Sequence, residues 1–320
     1  MSDFKVCFLG VGSASPSLLH QPSCQIVDFR GKLFMVDCGE GAQLSMRRMG
    51  LKFSRLEHIF ISHLHGDHFF GLPGLLSSMS LHDTGGDIIV HMPEEGVDWL
   101  KDTMDRFCTH RSFELIIDPI SPEGGTVYSD DNLTVTAFPL THRIPCTGFK
   151  FDVAAGARRL RKDMIEWLDI PISMRQAIKQ GADFTTSDGR HFDNERLTLP
   201  GTPSMSYAYC SDTIYNPENI RYIKPSYTVY HEATYLETEK LKAKDRYHST
   251  AAEAVKFAVE CGAKRLIIGH YSKSYKGTEG HLQEARSEAL RLNSDIEIIA
   301  ANEGDVVDLA PYKDNQSDYE

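Results

Sequence analysis

A segment of six residues, His-Leu-His-Gly-Asp-His at positions 63–68, contains four side chains that can bind a metal ion. It follows an apolar run typical of a β-strand and precedes a stretch with helical periodicity. At the end of an extended strand the side chains of His63 and His65 point the same way, whereas a turn redirects Asp67 and His68. This spacing indicates that one segment provides ligands to two ions.

Three further candidate ligands, His142, Asp212 and His270, each follow a predicted strand far along the chain. A lone histidine after a strand is more often a hydrogen-bonded loop residue than a ligand, but three such residues beside the 63–68 segment favour a shared site. Zinc binds imidazole nitrogen and carboxylate oxygen. Two such ions about 3.5–4 Å apart can activate a water molecule and bind both the attacking and the leaving oxygen of a displacement at phosphorus. The pattern therefore indicates hydrolysis of a phosphodiester.

The composition is that of a globular protein, with 320 residues of which 41% are hydrophobic and 25% charged. No apolar run is long enough to cross a membrane and the amino-terminal segment is too polar for a secretory signal, so we expect a cytoplasmic protein. The seven cysteines include no Cys-x-x-Cys pair, which argues against a disulfide framework or a thiolate zinc site. Because the formal net charge is -11, contact with a polyanion requires a local cluster of basic residues.

Strand-like segments precede helical segments in each half of the chain. The predicted strands are residues 5–9, 25–28, 33–36, 57–61, 87–91, 114–117, 133–138, 148–152, 205–209, 227–230, 265–268 and 296–299. The predicted helices are residues 42–49, 68–81, 97–107, 250–261 and 282–292. Two sheet-forming stretches, each covered by helices, predict an α/β fold with four layers in the order αββα, in one domain spanning residues 1–320.

Residues 154–203 differ from their surroundings, and we interpret them as an insertion or arm of this domain. The segment contains a weak helical signal near residues 175–180 and a basic cluster formed by Arg158, Arg159, Arg161 and Lys162. A run of four charges is often a solvated helix face, but a local basic cluster is also what a nucleic-acid-binding surface requires. The residues alone leave both interpretations open.

Over most of its length the chain resembles the ribonuclease Z family of the metallo-β-lactamase superfamily. His-x-His-x-Asp-His followed by a later His, Asp and His is the ligand pattern of the superfamily, and ISHLHGDHFFGLPGLL at residues 61–76 resembles its ribonuclease Z version. Other segments similar to this family are LGVGSASP at 9–16, VDCGEG at 36–41, PLTHRIP at 139–145, HEAT at 231–234 and YHST at 247–250.

The resemblance implies a site for two zinc ions, with His63, His65 and His142 holding one ion, Asp67, His68 and His270 holding the other, and Asp212 between them. It gives Asp67 the further role of accepting a proton from the attacking water. It also implies a homodimer that acts on precursor tRNA, leaves a 3′-hydroxyl on the tRNA, and grips the tRNA with a protruding arm.

The ribose oxygen that leaves needs a proton, and His248 is the candidate donor. A histidine kept protonated by the Glu232 carboxylate can protonate a leaving group near neutral pH. The alternative is a buried pair that only holds two loops together. The carboxylate of Asp37 or Glu40 could orient a metal-bound histidine. Glu40 could instead cap the helix that follows. We include neither among the site residues.

Two positions depart from the family pattern. Ser211 stands where the family usually has glycine, which alters the turn before Asp212. The arginine often found shortly after the last histidine is missing, and Lys273 or Lys276 offers the nearest positive charge.

The predicted function is that of a zinc-dependent endoribonuclease that removes the 3′ trailer from precursor tRNA. The first alternative is a small-molecule phosphodiesterase that cleaves cyclic nucleotides or aryl esters with the same zinc pair. The second is an inactive scaffold that keeps the fold as a binding module. Because candidates for all seven ligands are intact, the sequence argues against the scaffold.

Overall fold

The computed structural model describes residues 3–310, which divide into two compact units. The smaller unit consists of Asp130–Leu133 and Asp152–Met205, and the remaining described residues form the larger unit. Two seven-stranded sheets belong to the larger unit, whereas the smaller unit has two sheets of two strands each. No helix within residues 3–310 is long and apolar enough to cross a membrane.

The first large sheet combines antiparallel and parallel strands. Its members are β1 (Phe4–Gly10), β2 (Cys24–Phe29), β3 (Lys32–Val36), β4 (Leu56–Phe60), β5 (Asp87–Pro93), β6 (Glu114–Ile120) and β18 (Val306–Asp308). The order across the sheet is β18-β1-β2-β3-β4-β5-β6. Pairing is antiparallel from β18 to β3 and parallel from β3 to β6.

The second large sheet is built in the same mixed way. Its members are β7 (Gly125–Ser129), β8 (Leu133–Leu140), β9 (Cys146–Val153), β14 (Met205–Cys210), β15 (Thr228–Glu232), β16 (Arg265–Gly269) and β17 (Glu297–Ala300), in the order β17-β16-β15-β14-β9-β8-β7. Strands β14 to β17 are parallel neighbours. Their carboxyl ends therefore lie at the same edge of the sheet, which brings together residues distant in the sequence.

Helices cover the outer face of each large sheet. Those of the larger unit are α1 (Ala42–Arg48), α2 (Gly66–Phe69), α3 (Leu72–Leu81), α4 (Val97–Phe107), α8 (Ile220–Ile223), α9 (Lys240–Asp245), α10 (Ala251–Cys261) and α11 (Glu279–Arg291). Leu72, Leu76 and Leu100 from these helices share a buried cluster with Met35 and Ile59 of the first sheet. Helix α10 begins at a capping box between Thr250 and Glu253, which satisfies its free amino-terminal N–H groups.

The inner faces of the two large sheets pack against each other through aromatic rings. Phe60 lies 5.3 Å from Phe149 and Phe34 lies 6.2 Å from Phe151, between ring centroids. The order of layers is therefore helix, sheet, sheet, helix, which confirms the predicted αββα fold.

The smaller unit has its own elements and a small apolar core. Its strands are β10 (Arg159–Leu160), β11 (Phe184–Thr185), β12 (His191–Phe192) and β13 (Thr198–Leu199), and its helices are α5 (Lys162–Trp167), α6 (Ile172–Lys179) and α7 (Asn194–Leu197). Its buried core is Leu168, Ile170, Ile178, Phe184, Phe192 and Leu197. Residues 154–203 lie within this unit.

The prediction of one continuous helix over residues 68–81 is wrong, because the chain breaks it into α2 and α3 at Gly71. The Gly71 N–H donates to Cys38 O at 2.9 Å, and a Cβ at Gly71 would lie only 2.0 Å from Gly39 O. This close approach of two backbones needs glycine, and periodicity alone does not reveal it. All twelve predicted strands are present, whereas the short β7 and β18 of the large sheets and the four two-residue strands β10 to β13 of the smaller unit were not predicted.

His58 on β4 and His91 on β5 form a buried pair in the first large sheet. The His58 Nδ1 and His91 Nε2 atoms are 3.0 Å apart, and His91 Nδ1 lies 2.8 Å from Asp118 Oδ2. Burial, reinforced by the neighbouring His91, lowers the pKa of His58 to about 4. His58 is therefore neutral in the folded protein at pH 7.

We expect the free energy of unfolding to fall as the pH drops from 6.5, the ordinary pKa of histidine, to about 4. In that interval the unfolded chain binds a proton at His58 and the folded chain does not, so acid favours unfolding by on the order of 2–3 kcal/mol. His58→Phe, which cannot titrate and keeps a ring beside Phe34 and Phe60, should lose this part of the pH dependence in urea unfolding. The same slope in both proteins between pH 7 and pH 4 would contradict the prediction.

Candidate metal centre

The seven predicted ligands converge on one place in the larger unit. They lie at or just beyond the carboxyl ends of β4, β8, β14 and β16, or in the short helix α2. His63 and His65 follow β4, Asp67 and His68 lie in α2, His142 follows β8, Asp212 follows β14, and His270 follows β16. Side chains more than 200 positions apart thus meet, as with His68 and His270, whose Nε2 atoms are 3.3 Å apart.

The ligand atoms form two groups. In the first, the Nδ1 atom of His65 lies 3.0 Å from His63 Nε2 and 3.2 Å from His142 Nε2. The second contains Asp67, His68 and His270, with ligand atoms within 4.8 Å of one another. Each group offers three side chains from the predicted ligand set.

Asp212 lies between the two groups. Its Oδ2 atom is 3.7 Å from both His63 Nε2 and His142 Nε2. Its Oδ1 atom faces the other way, 3.4 Å from His68 Nε2 and 3.1 Å from His270 Nε2. Oδ1 is buried and accepts no hydrogen bond from any described residue, a costly arrangement for a carboxylate unless a cation is bound.

Four of the histidines use their other ring nitrogen to contact the surrounding protein. His142 Nδ1 donates to Tyr247 O at 3.0 Å, and His270 Nδ1 lies 2.9 Å from Thr234 Oγ1. The Nδ1 atoms of His63 and His68 contact Ser62 Oγ at 3.0 Å and Asp37 Oδ2 at 2.8 Å. Outer contacts of this kind fix ring orientation and leave the inward nitrogen free for a metal, so the residues fit a metal centre.

Asp37, which sequence reasoning left out of the site, is the main outer contact. Its Oδ2 atom accepts from His68 Nδ1, from Ser62 Oγ at 2.9 Å and from Tyr209 OH at 2.6 Å, while Oδ1 accepts from Ser62 N–H at 2.8 Å. Asp37 is fully buried and follows β3, whereas Tyr209 belongs to β14 in the other sheet. In the sequence, Asp37 was marked by its position just after a strand and by the VDCGEG segment at residues 36–41.

The pKa shifts within the two groups follow from burial and the enclosed carboxylates. Burial lowers the pKa of His63, and the neighbouring His68 lowers it further, so His63 is a neutral imidazole able to bind a metal. Burial alone would also lower the pKa of His68, but Asp212, Asp37 and Asp67 outweigh it and raise that pKa. The carboxylates therefore favour positive charge at the centre of the site.

His248 and Glu232 form a buried ion pair beside the two groups. His248 Nδ1 donates to Glu232 Oε1 at 2.8 Å, and Thr234 Oγ1 donates to Glu232 Oε2 at 2.6 Å. Burial opposes both charges, but the partner's charge outweighs it, so the pKa of Glu232 lies below its usual value and that of His248 lies above it. His248 also lines the same cavity as the metal ligands, which a pair serving only to hold two loops would not require.

A cavity of about 520 Å³ opens onto the ligand groups. Asp67, His142, Asp212 and His270 line it, together with three cationic side chains, Arg143, Arg246 and Lys273. Lys273 was predicted from the sequence, whereas both arginines were missed, because each is a single charge within or beside a motif and no spacing marks it. Cations around this cavity favour an anionic substrate.

The serine at the first departure from the family pattern contributes to the network around Asp37. Ser211 Oγ lies 3.1 Å from Ser62 Oγ and 3.4 Å from Tyr209 OH. The hydroxyl therefore adds a contact between the turn before Asp212 and the segment before His63.

The four basic residues of the predicted arm belong to the smaller unit. Arg158 Nε donates to Thr198 Oγ1 at 2.6 Å, and Arg161 pairs with Asp163 at 2.7 Å. Arg159 and Lys162 are exposed. They lie in β10 and at the start of α5, so the run is not the single helix face that one interpretation of the sequence described.

Comparisons with known proteins match most of this chain. "Ribonuclease Z" of Porphyromonas gingivalis is 46% identical over 288 residues, covering 90% of this chain and 95% of that protein. "Ribonuclease Z" of Bacteroides thetaiotaomicron is 43% identical over 286 residues, covering 89% and 90%. A family model described as "Anti-Pycsar protein Apyc1" matches residues 4–156, which is less than half of the chain.

Solved structures show the same fold. Human tRNase Z, short form, superposes with a TM-score of 0.68 at 24% identity, covering 96% of this chain and all of that one. The metallo-β-lactamase fold protein YhfI from Bacillus subtilis superposes with a TM-score of 0.65 at 15% identity, covering 95% and 98%. Two helix-covered sheets with a His and Asp centre at their edge define a metal-dependent hydrolase of the metallo-β-lactamase fold. Within that class, identity above 40% over about nine-tenths of the length shows that the chain belongs to the ribonuclease Z family.

We expect Asp37→Asn to weaken metal binding by roughly 10- to 100-fold. The amide keeps the shape of the carboxylate, but it loses the charge that orients the His68 N–H and cannot accept all four hydrogen bonds. Competition with a chromogenic chelator measures the affinity. Asp28→Asn, which alters a buried carboxylate elsewhere in the first large sheet, is the matched control, and equal affinities in the two variants would show that Asp37 does not support the centre.

Proposed function

We propose that this protein is a zinc-dependent endonuclease that removes the 3′ trailer from precursor tRNA and leaves a 3′-hydroxyl on the tRNA. The arrangement of Asp212, with one oxygen facing each ligand group, is the observation that carries the two-metal part of the proposal. The shared name of relatives that match about nine-tenths of the chain supports tRNA as the substrate. The family resemblance also supports a homodimer and a cytoplasmic location.

In the proposed site, His63, His65 and His142 would hold one zinc ion and Asp67, His68 and His270 would hold the second, with Asp212 available to both. When bound, such ions supply positive charge that activates water and offsets the charge developing on the phosphate. The chain's own residues have to position the phosphodiester and move two protons.

Asp67 is the proposed proton acceptor. It lines the cavity, and the Ala14 N–H donates to its Oδ2 atom at 2.6 Å, which fixes the carboxylate in place. Burial would raise the pKa of Asp67, but His68 and His270 outweigh it, so the group is ionised and able to orient the attacking water.

His248 is the proposed proton donor. Its Nδ1–H is held by Glu232, so the opposite nitrogen is the one able to reach a substrate in the cavity. As the water oxygen bonds to phosphorus and the bond to the ribose O3′ breaks, a proton passes from His248 to O3′. The products are a 3′-hydroxyl on the tRNA and a 5′-phosphate on the trailer.

The cations Arg143, Arg246 and Lys273 are proposed to contact phosphates of the bound strand. Arg143 also donates to Asp245 O at 3.2 Å, and Arg246 donates to Tyr235 OH at 3.3 Å, which holds both side chains near the cavity. In a chain with net charge -11, such local positive charge is what allows a polyanion to approach.

Residues 1–320 are proposed to form a single domain, of which residues 154–203 are an arm. This arm is proposed to bind the body of the tRNA. Arg159 and Lys162 are the members of its basic cluster best placed to do so, because both are exposed, whereas Arg158 and Arg161 also make contacts within the smaller unit.

We expect the zinc-loaded protein to cleave a precursor tRNA at the start of its trailer and to lose this activity with a chelator. A small aryl phosphodiester serves as the comparison substrate. Cleavage of the aryl ester without cleavage of the precursor would favour the small-molecule phosphodiesterase. Failure to cleave either substrate with zinc bound would favour the inactive scaffold.

We expect His248→Ala to keep its zinc content and to lose about 10²-fold or more in turnover of precursor tRNA. An aryl leaving group is stable without a proton, so turnover of the aryl phosphodiester should fall far less. Mass spectrometry for metal content and single-turnover rates on both substrates provide the test. A pair that only holds two loops together would instead lower the unfolding free energy and affect both substrates alike.

We expect Arg159→Ala combined with Lys162→Ala to raise the KM for precursor tRNA. The slope of log affinity against log salt concentration should become shallower by about one for each phosphate that is no longer neutralised. Cleavage of the aryl phosphodiester should not change. Lys52→Ala combined with Lys101→Ala, which removes the same charge from exposed positions of the larger unit, is the control. A similar effect in both double variants would mean that net charge alone matters.

A further inference from the structure

A second cluster of metal-binding side chains lies in the smaller unit and belongs to neither ligand group of the candidate active site. Asp183 immediately precedes β11, His191 begins β12, and Asp193 immediately precedes α7. Their ligand atoms all lie within 4.8 Å of one another. One imidazole and two carboxylates are a ligand set that zinc and similar divalent ions accept.

The spacing of these atoms suits a shared ion better than direct hydrogen bonds. His191 Nε2 is 3.5 Å from Asp183 Oδ2 and 3.6 Å from Asp193 Oδ1, both longer than a good hydrogen bond. Two ligands about 2.0–2.2 Å from a tetrahedral zinc ion lie about 3.3–3.6 Å from each other. The separations of His191 from both carboxylates are therefore already those of ligands that share an ion, and all three ligand atoms lie within 4.8 Å of one another.

The atoms that face away from the cluster are held by neighbouring residues. Asp183 Oδ1 accepts from the Asn194 N–H at 2.7 Å, and His191 Nδ1 lies 3.2 Å from Thr185 Oγ1. Asn194 is itself buried, and its side-chain amide donates to Ile178 O at 2.6 Å and Ala182 O at 2.8 Å. This arrangement matches protein metal sites, in which outer contacts orient the ligands and leave the inner atoms free.

The charge of the cluster also favours a cation. Neither Asp183 nor Asp193 forms an ion pair with a lysine or arginine of residues 3–310, and His191 is the partner that the structure records for both. The nearby Arg190 pairs with Asp188 instead, at 2.9 Å.

We propose that Asp183, His191 and Asp193 bind a divalent transition-metal ion, with zinc as the probe, and that this ion fastens the β11–β12 hairpin to the start of α7. The ligands flank Phe184 and Phe192, two of the six residues in the small core of this unit. A core of this size gives little stability by itself, and small units commonly rely on a metal or a disulfide. All three side chains are substantially exposed, so water completes the coordination and binding is weaker than at the buried centre.

The test is the number of zinc ions per full-length chain, measured by mass spectrometry after equilibrium dialysis at a series of free zinc concentrations. We expect His191→Gln and Asp193→Asn each to bind one ion fewer than the parent at the highest concentrations and the same number at the lowest. His110→Gln, which removes another exposed histidine, is the matched control and should bind as the parent does. Equal stoichiometry in all four proteins, or an equal loss in the control, would overturn the proposal.

A second measurement reports binding at this place without counting ions. Trp167 packs edge-on against Phe192 at 5.6 Å, next to His191, and Trp99→Phe leaves Trp167 as the single tryptophan of the chain. Cobalt, which quenches indole fluorescence at short range, should quench Trp167 in this background and fail to do so once His191→Gln is added. Equal quenching in both proteins would place the ion elsewhere and overturn the proposal.

Discussion

The buried carboxylate of Asp37 joins the two large sheets at the candidate active site. It accepts hydrogen bonds from the segment after β4 and from Tyr209 of β14, and one of its partners is the candidate ligand His68. An ionised carboxylate is stable in such surroundings only while all its donors are present. The ends of strands from different sheets are therefore held at fixed separations, and the histidine and aspartate ligands take their positions from them.

Several backbone positions around the site adopt the left-handed conformation without being glycine. Asp37, His270 and Tyr247 have φ angles of 57°, 62° and 59°. Asp and His tolerate this region better than most residues, whereas it costs a tyrosine roughly 1–3 kcal/mol. Packing elsewhere in the larger unit offsets that cost. The side chains of Asp37 and His270 are buried at the site, whereas that of Tyr247 is exposed.

The sequence predicted the features that depend on repetition or density. Apolar runs rich in β-branched and aromatic residues marked twelve of the fourteen strands of the two large sheets, and four potential ligands within residues 63–68 marked the site. Features that arise from a single long-range contact were missed. No spacing in the sequence distinguishes Asp37 as a contact of a candidate metal ligand from Asp37 as a turn residue. Arg246 is one charge among many. Gly71 breaks a helix because another backbone segment lies beside it only after folding. The metal-binding roles of the seven residues remain predictions.

One loop links a ligand of the first group to the proposed proton donor. The carbonyl of Tyr247 accepts from His142, and the next residue along the chain is His248. A single rigid peptide unit therefore joins the carbonyl that orients His142 to the backbone of His248. An insertion between Tyr247 and His248 would therefore separate the carbonyl that orients His142 from the proposed proton donor, whereas an insertion elsewhere in the loop would leave this peptide unit intact.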